Sequence, residues 1–112
     1  MPDCLFCRIS SGEASADRVY EDDRAVAFRD INPAGPTHIL VIPRKHVATL
    51  ADLKPEDDAL VGHLHRVAVE VARADSRTDF RLTVNCGAGA GQSVFHLHLH
   101  VIGGRALAWP PG

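Results

Sequence analysis

The sequence predicts an α+β domain: one antiparallel sheet of about five strands, one short N-terminal helix and one long helix. Three observations carry that prediction. Residues 93–104 alternate along the chain, with Phe95, Leu97, Leu99 and Val101 set against His96, His98 and His100. Only one stretch, from Pro55 to about Ala74, repeats with the period of a long amphipathic helix. The last two strand candidates are joined by a short glycine-rich segment, "CGAGAG" (86–91), which suits an antiparallel pair.

"CLFCRISSGE" (4–13) reads as a short helix that ends at Gly12, a good residue for the position just past a helix. "RVYEDDRAVAFRDI" (18–31) gives two short strands around the turn "EDD", and "NPAGP" (32–36) is a loop. "THILVIP" (37–43) is β-branched, apolar and stopped by Pro43, so it is a strand. Pro55 suits a first helical position, and Glu56, Asp57 and Asp58 bring acids to the first turn. Leu60, Leu64, Val67 and Val71 then step by four, three and four. "DFRLTVN" (79–85) alternates as a strand, and "SVFHLHLHVIGG" (93–104) is the last long one. "RALAWPPG" (105–112) is an irregular tail in which Trp109 is expected to pack. The helices are expected on one face of the sheet. A single sheet this small leaves a face or edge in need of cover, so a homodimer is expected.

The 112 residues suit one domain, 1–112, and leave no room for two cores. At 46% hydrophobic and 23% charged the composition is that of a globular protein. A net charge of −2 gives no basic face for a nucleic-acid polymer, although a single nucleotide needs only a few placed groups. "MPDCLFCRIS" lacks the pattern of a signal peptide, and no run approaches the roughly 18 apolar residues of a membrane span. A cytoplasmic protein is expected, with no membrane partner. Cys4, Cys7 and Cys86 then point to metal binding, reactivity or packing rather than to disulfides.

His96, His98 and His100 share one strand face at steps of roughly 6.5–7 Å, held outward by the apolar residues between them. Three readings compete: a solvated face that happens to use histidine, a metal site, and phosphate chemistry. Imidazole is a nucleophile and titrates near neutrality. The preceding "NCGAGAGQS" (85–93) can turn backbone amides toward an anion, with Gln92 and Ser93 as further donors. A pure metal site would not need that loop, so phosphate chemistry is favoured.

"HLHLHV" fits a His-x-His-x-His-apolar signature, and the match extends through "DINPAGPTHILVIPRKH" (30–46), "GQSVFHLHLHVIGGR" (91–105) and "WPPG" (109–112). The chain thereby resembles the histidine-triad superfamily over nearly its whole length. "GQSV" and "GGR…WPPG" resemble its Hint branch of purine nucleoside phosphoramidate hydrolases. The resemblance implies the HIT fold and the following roles. His98 attacks the α-phosphorus and carries the nucleotidyl intermediate. His100 contacts the phosphate, and His38, on the strand before the long helix, helps set protonation. Ser93 meets the leaving amine. Gly91 and Gln92 belong to the phosphate-side loop, and Asn85 matches an asparagine on the strand before it. Asp30 bonds the ribose hydroxyls, although by position alone it could equally cap the turn at 31–33. Ile31 lies beside the base.

Cys4-x-x-Cys7 is not typical of the eukaryotic members closest in the triad region. In many other members of the superfamily such a pair binds structural zinc with two histidines, here matched by His46 and His96. Cys2His2 is a complete tetrahedral set. The pair could instead pack inward or be redox-active, although redox pairs follow a strand within a βαβ unit. Cys86 reads as a small filler near the nucleotide. His63 and His65, two apart on the helix, read as surface or interface residues.

The function so implied is hydrolysis of the P–N bond of purine nucleoside 5′-phosphoramidates, with no cofactor in the chemistry. The ligand is a purine nucleoside monophosphate or phosphoramidate. Dinucleoside polyphosphate hydrolysis is the alternative within the superfamily. A non-catalytic nucleotide-binding scaffold would be expected to have lost His98 or His100, and both are present.

Overall fold

The sheet grows outward from its two most apolar strands. The computed structural model describes residues 3–112; Met1 and Pro2, which open the stretch read for a targeting signal, lie outside them. The chain runs α1 (Leu5–Ser11), β1 (Arg18–Glu21), β2 (Ala25–Arg29), β3 (Thr37–Pro43), α2 (Asp58–Ala74), β4 (Phe80–Thr83) and β5 (Leu99–Gly103). The strands form one five-stranded sheet in the order β1-β2-β3-β5-β4, and every pair is antiparallel. This is the expected α+β architecture with a five-stranded sheet and two helices.

Every residue of β3 is buried, as are Ala25 to Phe28 of β2. A strand apolar at each position needs both of its faces covered. Ala25, Ala27, Ile39 and Val41 face one way and pack with Leu64, Val67 and Val71 of α2. Val26, Phe28, Leu40 and Ile42 face the other way and pack with Phe6 and Ile9 of α1. The two helices therefore lie on opposite faces of the sheet, not on one face as the sequence reading had it.

The termini of the helices follow the sequence. Cys4 caps α1, its sulfur accepting the Cys7 N–H at 3.4 Å, and Gly12 takes the left-handed conformation at φ 86°. Pro55 opens a 3-10 turn, Pro55–Asp57, that leads into α2. A second 3-10 turn, Leu50–Asp52, has no signal in the sequence reading.

The last strand is shorter than expected. Pairing begins at Leu99, opposite Val41, so residues 93–98 lie outside the sheet. Their polar groups have other partners: the Leu97 N–H bonds the Val47 carbonyl at 2.6 Å, and the His96 carbonyl is taken by a side chain. Leu97, Leu99 and Val101 do face the α2 core, but Phe95 is 46% exposed and is no part of it. β4 likewise ends at Thr83, where its pairing with His100 ends, rather than at 85.

Four further expectations change. Trp109 is 81% exposed; after Gly104 the tail leaves the sheet, fastened by Arg105 Nε to the Ala34 carbonyl at 2.6 Å. Cys86 is exposed and fills no gap. His63 bonds Asp22 Oδ2 at 2.6 Å, and that oxygen also accepts the Tyr20 hydroxyl at 2.6 Å, which ties α2 to the β1–β2 turn. The triad does not stand outward into solvent, because His96 and His98 are buried beneath α1. Among the described residues no helix is long and apolar enough to cross a membrane.

Candidate active site and metal centre

Four polar side chains, Asp30, His38, His98 and His100, meet on the α1 side of the sheet, and hydrogen bonds assign the protons of the three rings. His98 Nδ1 lies 2.6 Å from the His96 carbonyl, which can only accept, so Nδ1 carries the hydrogen. The neutral ring then has its free electron pair on Nε2. His38 Nδ1 accepts the Ala34 N–H at 2.9 Å, so the neutral His38 ring carries its hydrogen on Nε2. That Nε2 faces His100 Nδ1 at 2.9 Å and Asp30 Oδ2 at 3.4 Å. His100 therefore accepts at Nδ1 and carries its own hydrogen on Nε2, which is buried and has no partner among the described residues. His98 and His100 lie 4.9 Å apart by ring centroids, so a basic nitrogen and an orphan donor sit side by side.

Burial favours the neutral form of His100 and His38. It lowers the pKa of His100 to about 4, and the neighbouring His98 and His38 act in the same direction. It lowers that of His38 too, against an opposing pull from the Asp30 carboxylate. Asp30 has a local task as well: Oδ1 accepts the Asn32 N–H at 2.8 Å, the turn cap that its position suggested.

A groove of about 680 Å³ opens over these rings. His98, His100, Asp30, Ile31 and Ser93 are in its lining. So are Leu5, Phe6, Ile9, Phe28 and Leu40, an apolar wall that the sequence reading did not assign to the site. The available signal was the apolar set Leu5, Phe6 and Ile9 around the two cysteines. It became legible only once α1 was placed over the triad. Phe6 meets the His98 ring edge-on at 5.1 Å.

The glycine-rich loop behaves differently. The Gln92 side chain is buried and fully engaged: Oε1 accepts the Gly87 N–H at 2.8 Å, and Nε2 donates to the Ala48 and Val94 carbonyls at 2.8 and 3.1 Å. Gln92 thus closes the loop on itself and on the segment before α2. Asn85 is half-buried beside Gly91, 3.8 Å from where a Cβ on that glycine would lie. Gln92, Asn85 and Gly91 are absent from the groove's lining; Ser93 is the loop residue that reaches it.

Cys4, Cys7, His46 and His96 bring four donor atoms within 4.8 Å of one another. Cys4 Sγ lies 3.3 Å from His96 Nδ1, Cys7 Sγ lies 3.4 Å from His46 Nδ1 and 3.5 Å from His96 Nδ1, and the two Nδ1 atoms are 3.2 Å apart. Tetrahedral zinc, with bonds of about 2.3 Å to sulfur and 2.0–2.1 Å to nitrogen, separates its donors by about 3.3–3.8 Å. The observed gaps match that set closely. His96 Nε2 donates to the Pro43 carbonyl at 2.8 Å, which leaves Nδ1 unprotonated and aimed at the cluster, the outer contact a metal-bound histidine needs.

Residues 3–107 match the family model described as "Scavenger mRNA decapping enzyme C-term binding". An uncharacterized HIT-like protein of Synechocystis sp. is 51% identical over 98% of this chain and 97% of its own. Protein HitA of Neisseria gonorrhoeae is 46% identical over 92% of this chain and 97% of its own. The crystal structure of a HIT family hydrolase from Legionella pneumophila superposes with a TM-score of 0.95 at 46% identity, covering 98% of this chain and 100% of that one. A zinc-bound histidine triad family protein from Mycobacterium smegmatis superposes with a TM-score of 0.79 at 35% identity, covering 99% and 81%. With those relatives and the adjoining His96, His98 and His100 in view, the chain belongs to the histidine-triad (HIT) family.

Proposed function

We propose that the protein is a nucleotide hydrolase that cleaves the P–N bond of purine nucleoside 5′-phosphoramidates, as in the Hint branch. The observation that supports it most is the pairing of a free Nε2 on His98 with an unpartnered N–H on His100 beneath an apolar groove. His98 Nε2 attacks the α-phosphorus, the P–N bond breaks, and the nitrogen leaves as an amine after taking a proton near Ser93. Water then hydrolyses the nucleotidyl-histidine to the monophosphate. The His100 Nε2–H donates to a phosphoryl oxygen, and His38 holds His100 in the tautomer that makes this donation possible. The wall of Leu5, Phe6, Ile9 and Phe28 suits the flat apolar face of a purine, with Ile31 at its rim. Asp30, in the groove's lining, is the partner of the ribose hydroxyls in this reading. Asn85, Gly91 and Gln92 shape the loop that presents Ser93.

Cys4, Cys7, His46 and His96 hold a structural zinc ion in this reading, which fastens α1 to the triad segment. Zinc has no part in the chemistry; the reaction uses side chains alone. A homodimer goes with the reading, since β4 ends the sheet with an unpaired edge and Trp109 stands exposed. Residues 1–112 would form a single HIT domain in each copy.

The test is hydrolysis of adenosine 5′-phosphoramidate, followed by chromatography of released AMP. Turnover that is lost in His98→Ala is expected. A folded wild type that binds AMP without turning over would overturn the phosphoramidase. A second reading, cleavage of a dinucleoside polyphosphate, draws support from a family model described for an mRNA decapping enzyme. Faster turnover of diadenosine polyphosphate than of the phosphoramidate would favour it.

A further inference from the structure

We propose that the metal cluster and the nucleotide groove are one coupled unit, so that metal and nucleotide each strengthen the other's binding. The coupling rests on the nucleotide reading above, and two routes connect the sites.

The first route is α1. Seven residues are too few for a helix to stand by itself, so outside contacts must hold it. Its C-terminal end has two such contacts: Arg18 donates to the Ile9 carbonyl, and Arg44 Nη1 donates to the Ser10 carbonyl at 2.6 Å. Its N-terminal end has the cap at Cys4 and the sulfur of Cys7, both within the metal cluster. Between those two cysteines stand Leu5 and Phe6, which line the groove. Phe6 lies 6.0 Å from the ring of His96 and 5.1 Å from that of His98. The first turn of α1 is thus at once the metal's cysteine pair and the groove's wall.

The second route is His96. Its Nδ1 belongs to the cluster, its Nε2 is fixed on the Pro43 carbonyl, and its own carbonyl takes the Nδ1–H of His98. A metal that holds the His96 ring therefore also holds the carbonyl that orients the nucleophile. Without metal, four donor atoms at 3.2–3.5 Å lose their common partner, and the first turn of α1 is the part free to move. Because α1 keeps its two C-terminal fastenings, the expected result is a loosened groove rather than an unfolded chain.

Linkage is reciprocal, so the coupling can be read from the metal's side on the loaded protein. The protein is filled with zinc, and the equilibrium loss of zinc to a coloured chelator is followed with and without saturating AMP. AMP is expected to tighten zinc by between about 5-fold and 150-fold, the usual range of coupling between sites. The cobalt-filled protein gives a second readout: its thiolate–cobalt absorption bands are expected to shift as AMP is added. AMP that binds the loaded protein by calorimetry while zinc affinity and the cobalt bands stay unchanged would overturn the coupling alone. No AMP binding to the loaded protein would overturn the nucleotide reading and the coupling with it.

Discussion

His98 Nδ1 and the carbonyl of His96, two residues earlier, lie 2.6 Å apart. That bond leaves His98 Nε2 free, and it forms because residues 93–98 stay out of the sheet. In a regular strand the His96 carbonyl would be turned toward a neighbouring strand, and His98 would have no local acceptor. The orientation of the His98 ring is therefore a property of the backbone just before β5.

If His98 is the nucleophile, His98→Gln should keep the fold and lose the reaction. Glutamine retains a donor for the His96 carbonyl and much of the volume, but it offers no basic nitrogen to phosphorus. Phosphoramidate turnover is expected to fall by at least about 10³-fold, as when a covalent nucleophile is removed. AMP binding by calorimetry should change little. Residual turnover within about tenfold of wild type would remove His98 from the nucleophile's role.

Acid should weaken the fold through its buried and half-buried histidines, His100 among them. The pKa of His100 is lowered from 6.5 to about 4, so the unfolded chain takes up its proton more readily than the folded one. Stability then rises with pH between about 4 and 6.5, and acidification through that window costs stability. One proton gives at most about 1.4 kcal/mol per pH unit, less in so far as water reaches the ring. Asp75, held down to about 2 by the Arg29 guanidinium and the Thr37 hydroxyl, contributes only below its ordinary value of 3.8. Urea midpoints of wild type and His100→Gln at pH 7 and 5 separate the two windows. The variant should lose less on acidification, and equal losses would remove His100 from this role.

Gln92 should prove structural. Its amide satisfies the Gly87 N–H and the Ala48 and Val94 carbonyls from a buried position. Gln92→Leu removes all three bonds while keeping the volume. The cost is expected at about 1–3 kcal/mol, the penalty for a buried polar group left unpaired. A lowered urea midpoint checks it. Weaker AMP binding at unchanged stability would instead make Gln92 a ligand contact.

The sequence carried the strands, the long helix and the candidate metal donors because each depends on local pattern or on a residue type with few uses. β3 runs from Thr37 to Pro43 as read, and Gly12 takes the positive φ that marked the end of α1. Cys4, Cys7, His46 and His96 come together although 92 residues separate the first from the last. Other features had no local signal. Period-two alternation continues through 93–98 whether or not the backbone pairs, so the late start of β5 and the exposure of Phe95 could not be read from it. The side of the sheet on which α1 lies is a tertiary fact, and with it went the groove wall of Leu5, Phe6 and Ile9. Gln92 was legible as a polar residue beside the site, but its three backbone partners depend on the closed shape of its loop.

Two glycines should respond to alanine in opposite directions. Gly104 follows β5 at φ 90°, and a Cβ there would lie 2.8 Å from Pro36 Cβ and 2.7 Å from Arg77 Nη2. The proline cannot yield, and Arg77 is engaged through Nε with the Thr37 hydroxyl at 2.7 Å. Strain at positive φ and the overlap together should cost about 2–4 kcal/mol in Gly104→Ala. Gly62 lies within α2, exposed, and a Cβ there would meet nothing within 4 Å. Gly62→Ala should therefore stabilise the protein by about 0.4–1 kcal/mol, since alanine gives up less backbone freedom on entering a helix. Thermal melts of both variants beside wild type test the pair. A lower melting temperature for Gly62→Ala would mean that this face of α2 is covered in solution, and an unchanged one for Gly104→Ala would mean that Arg77 gives up its bond to Thr37 at little cost.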